Sequence, residues 1–355
     1  MTLPQARVMI CDDSIVIRSA ISRMLETDPG IRVVARVANG EAAIAELSRQ
    51  SVDVLVLDIE MPVMDGLTAL PLLLRADPTL RIIMASTLTT RGADVALRAL
   101  HLGAADYLPK PSSAAIQDES FKRELLAKVR GLARLRQTSK ALPGAAPTTR
   151  TALPALRPAS RQRAQLLAIG SSTGGPQALF TFIQGLGKAL PVPVVLTQHM
   201  PKTFTPILAD HLNKLGAMPC AEAIHGEKLA PGCIYLAPGD QHLMVDQIPG
   251  GLAVRLTSDA PENFCRPSVD PMLRSANLAC SGRVLVAMLT GMGHDGLDGT
   301  RGIINAGGTA IAQDEATSVV WGMPGAIAQA GLCHAVLPLN RLAAKVRDLL
   351  EMKTL

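Results

Sequence analysis

The sequence predicts an α/β protein of two domains, each built on a parallel sheet flanked by helices, with a flexible linker between them. Three observations predict it. Short apolar strand-like runs alternate with amphipathic helical patterns through residues 7–130. Comparable runs end in polar turns between residues 166 and 355. Between the two, residues 131–165 carry seven basic side chains and no acid, amid Pro, Ala, Ser and Thr. The expected boundaries are therefore 1–130, 131–165 and 166–355.

In the first domain, "RVMI" reads as a strand running into "CDDS". A helix follows over 14–27, with Ile17, Ile21, Met24 and Leu25 on one face. "VDVLVLD" then ends at Asp58, "RIIMAS" ends at Ser86, and "ADYLPKP" holds Lys110. Parallel α/β sheets bind ligands beyond the carboxyl ends of their strands. Asp12, Asp13, Asp58, Ser86 and Lys110 all fall there. Three carboxylates gathered in one place need a cation, and an oxygen-loving Mg²⁺ suits them. Lys110 is placed to pair with charge on Asp58.

The second domain opens with "LLAIGSSTGGPQAL", an apolar strand, a glycine-rich turn and a helical pattern through Leu179, Phe182, Ile183 and Leu186. Pro176 suits a first helical turn. Gly170-Ser171-Ser172-Thr173-Gly174 satisfies G-x-S-x-G with Ser172 at its centre, the turn that holds a nucleophilic serine beside a helix N-terminus. A phosphate-binding loop would need G-K-[ST], which is missing.

Such a serine needs a base, and the base an orienting acid. His199 follows "VPVVLTQ" and Asp295 follows "VLVAMLTGMGH", each just after a strand. His242, His294 and His334 compete for the base, and Asp298 is the weaker alternative acid. An α/β-hydrolase order would pair Asp295 with His334, but its second glycine-rich oxyanion loop is not found. No H-E-x-x-H or Cys/His ligand set appears, so no metal is expected in this domain.

Composition narrows the function further. Hydrophobic residues make up 48% of 355, yet no apolar run approaches the ~20 residues of a membrane span. Six scattered cysteines without C-x-x-C argue for a reducing compartment. The amino terminus, "MTLPQARVMICDDS", lacks the layout of a secretory signal, so a cytoplasmic protein without membrane insertion is expected. The net charge of +5 resides in 131–165, because the flanking regions are each net −1. A basic linker can touch nucleic acid by counterion release, but a solubilising tether is the preferred reading. The net −1 of the second domain, 2% aromatic residues and no recognisable helix-turn-helix weigh against a nucleic-acid-binding output.

"CDDS…LVLDIEMPVMDG…MAS…ADYLPKP" closely resembles the receiver domain of bacterial response regulators over residues 5–130. The resemblance implies a flavodoxin-like (βα)5 fold that accepts a phosphoryl group from a histidine kinase on Asp58. It implies Mg²⁺ bound with Asp12 and Asp13, Ser86 bonding the phosphoryl group, and Tyr107 as the switching aromatic. "IGSSTGG", "TQHMP", "IYLAPGDQHL", "RPSVDPML", "LTGMGHDG" and "WGMPGAI" resemble the catalytic domain of the chemotaxis protein-glutamate methylesterases, the CheB family. That resemblance implies Ser172 as nucleophile, His199 as base and Asp295 as its partner. The Met292 backbone would serve the oxyanion hole, with Thr173 beside it. The implied substrates are glutamyl methyl esters and glutamines of chemoreceptors. Ser171 and His294 depart from the Ala and Asn usual in the family, and neither removes a catalytic group. A switch domain tethered to a hydrolase carries one more expectation: removing residues 1–150 raises basal activity.

Overall fold

The computed structural model describes residues 5–86, 89–110, 119–140, 154–187, 189–216 and 218–351. The chain divides into two units, residues 1–148 and 149–355. Each is taken by itself.

The first unit alternates strand and helix. In order these are β1 (Ala6–Cys11), α1 (Ile15–Leu25), β2 (Ile31–Val37), α2 (Gly40–Leu47), β3 (Val54–Asp58), α3 (Gly66–Ala76), β4 (Arg81–Ser86), α4 (Thr90–His101), β5 (Asp106–Pro109) and α5 (Glu119–Lys140). The sheet order is β2-β1-β3-β4-β5 with every pair parallel, the flavodoxin-like order. β3 is buried throughout, as its unbroken Val-Leu-Val-Leu run requires of a central strand covered on both faces. Ser14, Asn39, Asp65 and Thr89 cap α1 to α4, each side chain accepting a backbone N–H of the first turn. α1 buries Ile21, Met24 and Leu25, the face the periodicity predicts.

The expected linker needs correction at both ends. α5 runs to Lys140, ten residues past the expected boundary. Leu125, Val129, Leu132 and Ala133 are buried at helical spacing, and Arg136 continues that face. Arg136 is buried, 2.6 Å from Asp77 and 3.6 Å from Asp53, so part of the basic charge belongs to a folded core. At the other end the Arg157 N–H donates to the Cys333 carbonyl at 2.9 Å, and the Gln165 N–H donates to the Arg283 carbonyl at 2.8 Å. Residues 157–165 are thus hydrogen-bonded to the second unit. Of the rest of the expected linker, 154–156 are exposed and 141–153 lie outside the described residues.

The second unit comprises β6 (Leu166–Ser171), α6 (Gly175–Leu186), β7 (Val194–Gln198), α7 (Thr205–Lys214), β8 (Cys220–Glu222), β9 (Ile234–Leu236), β10 (His242–Ile248), β11 (Gly251–Thr257), α8 (Val269–Cys280), β12 (Val284–Met288), α9 (Leu297–Asn305), β13 (Thr309–Gln313), α10 (Met323–Gln329), β14 (Ala335–Leu337) and α11 (Leu339–Glu351). Seven strands form a parallel sheet in the order β14-β13-β12-β6-β7-β9-β8. β10 and β11 form a separate antiparallel hairpin. The residues of β6, β7 and β12 are all buried. From β6 the chain builds outward through β7, then returns to place β12 on β6's other side. That reversal opens a crevice at the strands' carboxyl ends.

Candidate active site

β12, β6 and β7 are neighbours in the sheet: Ser172 directly follows β6, His199 directly follows β7, and Asp295 lies seven residues past the end of β12, on the loop that leads to α9. After β6 the chain turns through Gly174, whose φ of +73° suits glycine. A Cβ on Gly175 would fall 1.9 Å from Gln198 Oε1, so the backbone there must stay bare. This turn separates the two serines. Ser171 is fully buried and its Oγ donates to Gln198 Oε1 at 2.7 Å. Ser172 Oγ lies 3.2 Å from His199 Nδ1. Gln198 Nε2 donates to the carbonyls of Ser172 and His199 at 2.9 and 3.2 Å, clamping the two turns together.

His199 Nε2 is 2.7 Å from Asp295 Oδ2. The Asp295 carboxylate is held by four further donors. They are Ser268 Oγ at 2.8 Å, Asn263 Nδ2 at 2.9 Å, and the N–H groups of Val269 and Asp270 at 2.7 and 3.0 Å. Val269 and Asp270 open α8, so Asp295 caps that helix. Ser268 occupies the N-cap position without capping its own helix; its hydroxyl goes to Asp295. Cys265 Sγ approaches the same His199 Nδ1 at 3.3 Å.

Electrostatics follow from this packing. Burial opposes charge on His199, but the hydrogen bond to Asp295 and the Cys265 contact outweigh it and hold the imidazole pKa above 6.5. Burial pushes Asp295 upward, yet the His199 bond and charge and the α8 N–H groups hold it well below the carboxylate range. Asp270, 3.0 Å from Asn263 Nδ2, is raised by burial and then by the charge of Asp295.

The other expected residues sort cleanly. Thr173 is buried and its carbonyl accepts from Thr290 Oγ1 at 2.9 Å. The loop after β12 is held at Gly291, whose N–H donates to Val320 O at 3.0 Å; a Cβ there would stand 3.0 Å from Ser172 Cβ. Met292 follows, exposed beside the serine turn. Of the competing histidines, His242 accepts from the Ser268 N–H at 3.1 Å and so supports α8's entry. His334 contacts the Arg157 carbonyl at 2.9 Å. His294 is exposed, and Asp298 pairs with Arg301 at 2.5 Å. Ser268, Asn263, Cys265 and Gln198 escaped the sequence reading. The signal for Ser268 was a serine one residue before a helical run, the mark of a helix N-terminus that attracts a carboxylate.

In the first unit, oxygens of Asp12, Asp13 and Asp58 lie within 4.8 Å of one another. Asp12 and Asp58 are buried and Asp13 is exposed. Lys110 Nζ sits 2.6 Å from Asp58 Oδ2 and 3.2 Å from Asp12 Oδ2. Burial pushes Asp58 up to about 6 against the pull of Lys110, with the charge of Asp12 adding to the rise. Two buried carboxylates facing one lysine remain short of positive charge, and an all-oxygen donor set fits a hard divalent cation. Ser86 Oγ donates to the Gly92 carbonyl at 2.7 Å, which draws it toward α4. Tyr107 is buried; Lys128 Nζ donates to its carbonyl at 2.5 Å and lies 4.9 Å from its ring centroid. Among the described residues no helix is long and apolar enough to cross a membrane.

Residues 167–346 match the CheB methylesterase family model, and residues 8–119 match the response regulator receiver domain. A protein-glutamate methylesterase/protein-glutamine glutaminase of the group 2 operon from Rhodospirillum centenum is 54% identical, over 97% of this chain and 93% of that one. A protein-glutamate methylesterase/protein-glutamine glutaminase from Azospirillum brasilense is 52% identical, over 96% and 92%. The crystal structure of the Thermotoga maritima CheB methylesterase catalytic domain covers 52% of this chain and 98% of its own, at 39% identity and a TM-score of 0.51. With a catalytic-domain match over half its length, a receiver ahead of it and relatives similar almost end to end, the chain belongs to the CheB methylesterase family.

Proposed function

We propose that this protein is a phosphorylation-activated hydrolase that removes methyl groups from γ-glutamyl methyl esters of chemoreceptors, releasing methanol, and deamidates receptor glutamines. The observation that carries the reading is the continuous Ser172–His199–Asp295 chain of contacts, 3.2 and 2.7 Å, at the mouth of three adjacent parallel strands. Ser172 Oγ attacks the ester carbonyl as His199 Nδ1 takes its proton. Asp295, on Nε2, fixes the tautomer and stabilises the imidazolium. The Met292 N–H, beside Thr173 and the α6 N-terminus, receives the developing oxyanion. His199 returns the proton to the departing methoxide, and the same base then activates water to release free glutamate. With a glutamine side chain the leaving group is ammonia.

Asp58 accepts a phosphoryl group from a histidine kinase. Asp12, Asp13 and Asp58 hold Mg²⁺, which when bound neutralises charge on the transferring oxygens. Lys110 supplies the fixed countercharge, Ser86 bonds the phosphoryl group and Tyr107 responds to it. The site works in the cytoplasm, on the cytoplasmic portions of receptors.

The test is methanol release from methylated receptor membranes, with and without a small phosphoryl donor. Donor-stimulated release is expected from the wild type and from Ser171→Ala, and a loss of at least about 10⁴-fold from Ser172→Ala. Release that survives Ser172→Ala overturns the assignment of the nucleophile.

A further inference from the structure

Phe264 is the most exposed large apolar side chain among the described residues, at 94% of its full surface. It is also held in a backbone conformation that L-residues avoid, with φ +63° directly after Asn263 at φ +52°. The pair forms the centre of a tight turn. Glu262 N–H donates to the Cys265 carbonyl at 3.1 Å, and Cys265 N–H returns the bond at 2.9 Å. Turns with two successive positive φ values favour Asn followed by Gly; here Phe stands where Gly belongs.

The turn is fixed from every side. Asn263 Nδ2 donates to Asp295 and Asp270, Cys265 Sγ contacts His199, and Glu262 pairs with Arg274 at 2.5 Å. Arg266 Nη1 donates to the carbonyls of Ser258 and Asp259, each at 3.0 Å. The residues on either side of Phe264 therefore each touch the Ser172–His199–Asp295 chain, while its own ring enters solvent. The ring is almost wholly unburied, and its backbone is held at a strained positive φ. Backbone strain of this kind persists where surrounding structure imposes it and clusters at ligand-contacting positions.

From this geometry we infer that Phe264 is a specificity-determining residue for a polypeptide substrate. Its ring packs on apolar side chains flanking the reacting glutamyl residue. The inference rests on the hydrolase reading above. A glutamyl carbonyl lies only a short side chain from its own backbone, so bringing it to Ser172 Oγ draws the substrate chain to the rim where Phe264 stands. Met292, 37% exposed on the loop beside Ser172, offers a second apolar surface at that rim. Together they favour a glutamyl side chain with apolar neighbours over an isolated ester.

The full-length protein with Phe264→Ala and Phe264→Leu tests this on methylated receptor membranes and on p-nitrophenyl acetate, with thermal melts as the folding control. Phe264→Ala is expected to raise KM for receptor about tenfold or more, with kcat within about twofold. Phe264→Leu is expected to recover most of the loss. An unchanged receptor KM in Phe264→Ala overturns the inference while the hydrolase reading stands. Equal losses on receptor and p-nitrophenyl acetate also overturn it, since they assign Phe264 to support of the triad. If the wild type itself releases no methanol from receptor, the substrate reading fails and the inference fails with it.

Discussion

As the proposed base, His199 faces two opposed demands, since a base must be neutral to accept a proton while Asp295 favours the charged imidazolium. The Asp295 bond and the Cys265 contact win over burial and raise the imidazole pKa above 6.5. The active, neutral fraction grows as pH rises through that pKa, so the acidic limb of kcat/KM is expected above pH 6.5. Asp295→Asn removes the charge that raises the pKa and leaves the burial that lowers it. The limb should therefore move to lower pH, while the rate falls by about 10³–10⁴-fold because the tautomer is no longer enforced. A pH–rate profile of the two proteins checks both signs, and a limb unmoved by Asp295→Asn would assign it to another group. Ser171 shows the same discrimination without titration. Its hydroxyl is spent on Gln198, so Ser171→Ala should lower stability by about 1–3 kcal/mol through the unpaired buried amide oxygen, with far less effect on rate than Ser172→Ala.

At the scale of elements, the crevice depends on α8 as much as on the three strands. Asp295 accepts the first N–H groups of α8, so one carboxylate both holds His199 and closes the helix end. Asp295→Ala should then cost both functions, lowering the denaturation midpoint by the loss of about 1–3 kcal/mol as well as the rate. Ser268→Ala removes one of the donors and should cost about tenfold in rate and about 1 kcal/mol; denaturant melts beside steady-state rates separate the two effects. These linkages explain what was legible in the sequence. β6, β7 and β12 are short, wholly buried runs, so Ser172 and His199, directly after their strands, and Asp295, in the polar loop after β12, stood out by position. The receiver cluster was legible for the same reason. The second tier was not, because Asn263, Cys265 and Ser268 sit in an irregular segment some 30 residues before Asp295, where no periodicity marks them. β2 was hidden differently: as an edge strand it is only partly buried, and Arg32 and Arg36 interrupt its apolar run. α5 outran its expected end because the amphipathic face closes on Arg136, a charged residue buried through ion pairs.

For the whole molecule, the question is what a charge placed on Asp58 does to chemistry carried out in a separately folded unit. Asp58 already sits in a charge-poor environment, buried beside Asp12 with Lys110 as the close cation, so a phosphoryl group adds about 1.5–2 negative charges where few compensate. Such a change can bias a two-state element, and the simplest readout is release of a restraint that the unphosphorylated receiver places on the hydrolase. The cut that isolates the hydrolase must spare its own first contacts, since Arg157 and Gln165 hydrogen-bond to Cys333 and Arg283. Removal of residues 1–150 meets that condition. The truncated protein should release methanol from receptor membranes faster than the full chain without a donor, and should be indifferent to the donor. Asp58→Asn in the full chain should keep the low basal rate and lose stimulation, and chelating Mg²⁺ should do the same to the wild type. Truncation that leaves the basal rate unchanged would mean that the phosphorylated receiver actively promotes the reaction rather than releasing a restraint. In that case the donor-stimulated rate of the full chain would exceed that of the isolated hydrolase, and the two rates, measured on one receptor preparation, decide between release and promotion.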